Sequence, residues 1–199
     1  MHFKGMEKVA DLIVINLLFI LCSIPIVTIG ASATAMHYTL RRWREGQGSL
    51  AKDFFRSFRL NFRQATALWL VFLLLGAVLA LNFWMVSGWT GSMYQVAMVL
   101  LIVAGSVLLA WAGVVFPFLA RFDNSTFQIG KNALLITLIS PGKSLAAMAM
   151  NILPVALAAV LPGVFLILSV LWLGILCSTC GYAVQLLFAP VFDRIGKTE

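Results

Sequence analysis

The residues able to do chemistry in this chain are few. Cys177-Ser178-Thr179-Cys180 has the spacing of a dithiol redox pair. Such a pair works when a helix start or a nearby cation lowers the pKa of one thiol. Here the pair lies in an uncharged apolar run, so Cys177-Ser178-Thr179-Cys180-Gly181 reads instead as small residues that let helices pack closely. Cys22 sits in a similar run. The chain has only 2 His, His2 and His37, too few for a catalytic dyad or a metal cluster. It has no Gly-rich nucleotide-binding loop. The expectation is a non-enzyme with no cofactor.

The elements that would position these residues follow from composition. Of 199 residues, 62% are hydrophobic, 14 are Lys or Arg and 7 are Asp or Glu. The mean hydropathy is +1.01. A soluble domain is about a quarter charged, so this chain belongs in lipid. The apolar runs are too long and continuous for an outer-membrane barrel. Residues 12–40, 64–120 and 144–192 carry no charge. At about 20 apolar residues per crossing, these stretches predict five spans, near 12–38, 65–86, 94–119, 144–161 and 164–190. Ser87-Gly88-Trp89-Thr90-Gly91-Ser92 and Leu161-Pro162-Gly163 mark the internal breaks. Trp84, Trp89 and Tyr94 flank the first break as an aromatic belt would. The predicted fold is a single all-α transmembrane bundle over residues 1–199.

Basic residues set the orientation. Arg41, Arg42, Arg44, Lys52, Arg56, Arg59 and Arg63 crowd one connection, and Arg121, Lys131 and Lys143 mark another. Such loops stay in the cytoplasm. With five spans, the C-terminus is then inside and the N-terminus outside. The first apolar run is long for a signal peptide, so it reads as a retained span.

Two stretches are amphipathic. In 50–64, Ala51, Phe54, Phe55, Phe58 and Phe62 share one arc, and Lys52, Arg56, Arg59 and Arg63 share the next. Ser49 is placed as the N-cap. This predicts an interfacial helix, with Phe rings at the acyl boundary and cations on anionic lipid headgroups. The cluster lies too close to lipid to serve nucleic acid. A fainter helix is predicted over 125–140, capped by Ser125. The pattern of span, interfacial helix and span suggests a parallel repeat. Phe116-Pro117-Phe118-Leu119-Ala120-Arg121-Phe122-Asp123 and Phe188-Ala189-Pro190-Val191-Phe192-Asp193-Arg194 echo one another and support it.

Inside the membrane, Pro25-Ile26-Val27-Thr28-Ile29-Gly30 predicts a broken helix. Pro25 removes the amide that would serve the Leu21 carbonyl, Thr28 offers a hydroxyl to the freed backbone, and Gly30 allows unwinding. Ala31-Ser32-Ala33-Thr34-Ala35 is a close-packing face, as are Gly105, Ser106, Ala110, Ala112 and Gly113. Asn16, Asn82 and Asn151 are lone amides suited to bonds between helices. His37 is an isolated polar residue near the inner end of the first span.

Two of these stretches also carry a resemblance. Leu21-Cys22-Ser23-Ile24-Pro25-Ile26-Val27-Thr28-Ile29-Gly30 resembles the start of the YesL-like bacterial integral membrane proteins. So does Asp53-Phe54-Phe55-Arg56-Ser57-Phe58-Arg59-Leu60-Asn61-Phe62-Arg63-Gln64-Ala65. The span layout is similar, and the last third matches only in pattern. The resemblance implies a bacterial plasma membrane, an unassigned activity and an association with carbohydrate uptake. The functional expectation is an accessory or assembly protein beside membrane transporter subunits. The alternative is a small homo-oligomeric transporter or channel for an uncharged solute.

Overall fold

The computed structural model describes residues 3–160 and 162–196. Helices follow in the order α1 (Phe3–Ser23), a 3-10 turn (Ile26–Thr28), α2 (Ile29–Arg44), α3 (Leu50–Val86), α4 (Ser92–Leu119), α5 (Thr126–Ile139), α6 (Pro141–Val160), α7 (Pro162–Leu171), a π-helical turn (Trp172–Leu176) and α8 (Cys177–Ile195). No strand occurs among the described residues, and the fold is the all-α bundle expected. Leu161, part of the second expected break, lies outside the described residues.

The span count differs from the five expected. Among the described residues three helical stretches are long and apolar enough to cross a membrane: Leu50–Val86, Ser92–Leu119 and Ser169–Ile195. A fourth arises if Thr126–Ile139 and Pro141–Ile152, bent by 104° where they meet, count as one.

The largest difference is in the first apolar run. Residues 12–38 do not form one crossing; they fold back as an antiparallel hairpin of α1 and α2. The Trp43 indole donates to the Asp11 carboxylate at 2.8 Å, so the start of α1 meets the end of α2. Ile15 packs in one cluster with Met36 and Leu40. The turn is local chemistry. Proline disfavours the helical region for Ile24 before it, and Pro25 itself is extended at φ −74°, ψ 116°. The placement of the N-terminus outside rested on one crossing here, and the hairpin removes that premise.

α2 is the centre of the bundle, although it is the least apolar of the long segments. Gly30, Ala31, Ser32, Thr34, Ala35, Met36, His37, Thr39 and Leu40 are all buried. Small residues let four neighbours (α1, α3, α4 and α8) come close, which is how helices associate where no hydrophobic force separates lipid from protein. Gly30 is the tightest point. A Cβ there would stand 2.5 Å from the Ala65 carbonyl oxygen and 2.7 Å from the Trp69 Cβ. Its function is contact with α3; the unwinding expected of it falls instead on residues 24–28. Gly181 of α8 has the same part, since a Cβ there would meet Met36 at 2.8 Å.

α3 is 37 residues without a break, about 55 Å at 1.5 Å per residue. The stretch 50–64, expected as a separate interfacial helix, is its first half. Nothing between Leu50 and Arg63 is Pro or Gly, and a change from charged to apolar neighbours does not end a helix. An unbroken helix that crosses the bilayer in its second half does not lie flat in the interface with its first. Before α3, Gly46 at φ 70° caps α2, and the Asp53 carboxylate sits against Gly48 at φ 83° while pairing with Arg42 at 3.2 Å.

α5 stands as its own helix. The Ser125 hydroxyl accepts from the Gln128 amide at 3.4 Å. Trp111 donates to the Gly130 carbonyl at 3.0 Å and Gln64 to the Asn124 carbonyl at 2.7 Å, so α4 and α3 both hold it. The two halves of the proposed repeat therefore differ, one amphipathic stretch being fused to its span and the other set at an angle.

The glycine contacts make a prediction. Gly30→Ala should cost about 1–3 kcal/mol, the usual range for overpacking. Gly76→Ala, where a Cβ meets open space, should be neutral or stabilising. Unfolding of each variant in detergent, followed by circular dichroism, checks both.

Candidate functional site

Among the described residues no active-site constellation stands out; polar or exposed groups gather instead at the proline hairpin, around Asn16, on the outward face of α3, between the ends of α4 and α8, and in a cavity at the centre of the bundle.

At the hairpin tip side chains bond three backbone carbonyls, two of which also accept backbone amides, Pro25 from Thr28 at 2.9 Å and Ile26 from Ile29. The Thr28 hydroxyl reaches two of them, Cys22 at 2.6 Å and Pro25 at 2.7 Å. The Trp69 indole donates to the third, Ile26, at 2.7 Å. Thr28 thus acts on the backbone as expected, but on Cys22, one residue beyond Leu21. Trp69 is the member that sequence reasoning missed. An indole four residues after Ala65 on another helix carries no local signal. The tip itself is apolar and open, with Ile24 at 73% and Ile26 at 65% exposure.

A second tie joins the ends of the chain. Asn16 is fully buried. Its amide donates to the carbonyls of Trp172 at 3.1 Å and Leu173 at 2.7 Å, and its oxygen accepts from the Ser178 amide at 2.9 Å. These groups belong to the π turn and its exit, where the regular α-helical pattern is interrupted. Asn16 bonds between helices as expected. Asn82 and Asn151 instead bond back to Val78 and Ala147 of their own helices.

The outward face of α3 splits the expected aromatic arc. Phe54 is wholly buried against the α1–α2 hairpin and Phe58 is half-buried, so Phe54 does not meet lipid. Its burial follows from its phase, since Asp53, Phe54, Ser57, Ala65, Leu68 and Phe72 form the inward stripe. Phe55, Phe62, Lys52, Arg56, Arg59 and Arg63 remain exposed. Phe55, Phe58, Arg59, Leu60, Phe62 and Arg63 line a shallow groove there. At the neighbouring end of α2, burial lowers the Arg41 pKa against the opposing pull of Glu45. Tyr38 and then the Asp53 charge raise that of Arg42.

The echoed motifs meet in space. Arg121 pairs with Asp193. Phe192 packs edge-on against Phe118, with ring centroids 5.7 Å apart, and against Phe122 at 6.1 Å. The Arg121 guanidinium lies 5.9 Å from the centroids of both Phe122 and Phe192. The two motifs form one clasp between the ends of α4 and α8.

The cavity, of about 230 Å³, lies between α1, α2, α4, α6 and α8 and includes His37, Phe116, Asn151 and Cys177 in its lining. His37 is 7% exposed and its Nδ1 has no hydrogen-bond partner. The three cysteines are free thiols. Among the described residues no group of three His, Cys, Asp or Glu is placed to hold a metal.

These features define a multi-pass helical membrane protein. Residues 12–83, the hairpin and nearly all of α3, match the family described as "Protein of unknown function, DUF624". No curated protein and no solved structure matches the chain.

Asn16→Leu should cost about 1–3 kcal/mol through the unpaired groups it leaves and speed hydrogen exchange across 172–178. Asn82→Leu should stay within about 0.5 kcal/mol. Thermal melting with exchange mass spectrometry distinguishes the two.

Proposed function

We propose that this chain is a non-enzymatic accessory or assembly protein of a bacterial plasma membrane, of the YesL-like type, acting beside transporter subunits for carbohydrate uptake. The observation that carries this reading is the outer part of the α3–α4 hairpin. The buried core stops at Phe72 and Ala110, apart from Val86 near the far turn. Beyond it Leu74, Leu81, Val99, Leu100 and Ile102 stand 60–66% exposed. The two helices rise from the bundle as an apolar blade, suited to lie against another membrane protein. The exposed cations of α3, with Phe55 and Phe62, suit anionic headgroups at its cytoplasmic base.

In this reading the α1–α2 hairpin enters from the basic face and returns to it. Each arm has 12 uncharged residues, 12–23 and 29–40, or about 18 Å. That is short of the ~30 Å hydrocarbon core. The N-terminal segment then lies on the cytoplasmic side with Arg41, Arg42 and Arg44. A second reading, an oligomeric pathway for an uncharged solute, draws support from the uncharged cavity.

Three measurements test these readings. Single cysteines at Met6 and Gly46 should both resist an impermeant thiol reagent on intact cells, while one at Gly88 is labelled. Labelling at Met6 would return the N-terminus to the outside. Gentle detergent extraction should recover a sugar-transporter membrane subunit with the protein, and Leu81→Trp should lose it without loss of expression. Recovery of a symmetric homo-oligomer that carries a neutral sugar into proteoliposomes would favour the second reading instead.

A further inference from the structure

We infer that a second cavity, at the corner between α5 and α6, holds the phosphate headgroup of an anionic phospholipid. It measures about 370 Å³ and is walled by the bend from α5 into α6 and by the last turns of α8. Two cations line it, Lys143 from the first turn of α6 and Arg194 from the last turn of α8. They flank the uncharged run 144–192, so the fold brings both charged borders of that run to one place. Arg194 also lies at the end of Ser169–Ile195, a stretch long and apolar enough to cross a membrane. The end of a crossing is where headgroups lie.

The lining selects the ligand. None of the described lining residues is Asp or Glu. Asp193, next to Arg194 in the chain, pairs with Arg121 of α4. Lys143 is half-buried and forms no salt bridge among the described residues. An Arg has five N–H donors in a planar fork, enough to serve a phosphate together with another partner. An anion is therefore favoured, whereas the ammonium of a zwitterionic headgroup would meet two like charges and no carboxylate. The rest of the wall is aliphatic, from Ile136, Ile139, Val191 and Ile195, and Ile139 is 78% exposed. A free phosphate ion gains nothing from that wall, and an acyl chain covers it. The volume equals that of about twelve waters at roughly 30 Å³ each. It takes one headgroup, with the chains continuing into the bilayer past Ile139. The site is separate from the cations of α3 and stands whether or not the protein acts beside a transporter.

The test uses the full chain in phosphatidylcholine nanodiscs with two photoprobes, a phosphatidylglycerol and a phosphatidylcholine that carry a diazirine on the same acyl carbon. Adducts are mapped by mass spectrometry. Those of the phosphatidylglycerol probe should concentrate on 136–143 and 190–195, and those of the phosphatidylcholine probe should spread over the exposed faces of α3 and α4. Unlabelled phosphatidylglycerol should suppress the concentrated adducts, and excess inorganic phosphate should not. The same distribution for both probes would overturn the site, and suppression by inorganic phosphate would overturn the lipid as its ligand. Lys143→Gln should raise the probe fraction needed for half-maximal labelling at the corner about tenfold, as loss of one charge-assisted hydrogen bond does. Lys143→Arg should restore it, and Arg59→Gln, outside the cavity, should leave it unchanged. An equal loss with Arg59→Gln would reduce the effect to general surface charge and overturn the assignment to Lys143. The comparison of the two probes on the wild type stands by itself if Lys143→Gln does not fold.

Discussion

A backbone carbonyl or amide away from water has to be paired, and in lipid an unpaired one costs several kcal/mol. Among the described residues, two interruptions of helix in the uncharged runs are held by such pairing, at Pro25 and at the π turn of 172–176. Each interruption takes side-chain hydrogen bonds, some from within the turn and some from distant helices. Thr28 and Trp69 serve the first, and Asn16 serves the second. The pairings also fix the tertiary arrangement. Trp69 binds the hairpin tip to α3, and Asn16 binds α1 to the last membrane helix. The irregular backbone is thus where distant parts of the chain are joined, because those are the places with groups left to share.

Packing around α2 follows the same economy of space. The helix carries Gly30, Ala31, Ser32, Thr34 and Ala35 in a run, and all five are buried. Its neighbours approach to the limit set by backbone, as the Gly30 contact with the Ala65 carbonyl shows. Thr34 and Thr39 return their hydroxyls to Gly30 and Ala35 at 2.9 and 2.8 Å, so they add no unmet polar groups. Ser32 keeps an unpaired buried hydroxyl. The polar middle of an apolar protein is tolerated because most of its polarity is spent within one helix.

Much of this was readable before the structure. The all-α membrane class follows from uncharged length, and the break at Pro25 follows from the missing amide and the restriction on Ile24. The direction taken after the break was not readable. An uncharged run such as 12–40 holds one tilted crossing or two short arms, and hydropathy measures length without direction. The evidence for a hairpin is the Asp11–Trp43 bond, which joins residues 32 apart in sequence. Gly30 was misjudged for a related reason. Glycine in a helix signals freedom or contact, and only the neighbour at Ala65 decides between them. The join of 50–64 to the span after it was hidden because charge patterning speaks to solvent, and helix continuity depends on the backbone. The meeting of Arg121 with Asp193 was visible only as an echo in sequence.

The unbroken length of α3 has a mechanical consequence. Its cationic end and its far apolar end belong to one stiff rod, with no glycine before Gly76. The contact of Ala65 with Gly30 is a natural fulcrum. A 10° swing about that point would carry Val86 through about 5–6 Å and Leu50 through about 4 Å in the opposite sense, at 1.5 Å of rise per residue. Asp53, Phe54, Leu68 and Phe72 are buried on both sides of that point, so a displacement imposed on the basic end would reach the opposite end only by carrying the packing of α3 against the α1–α2 hairpin with it.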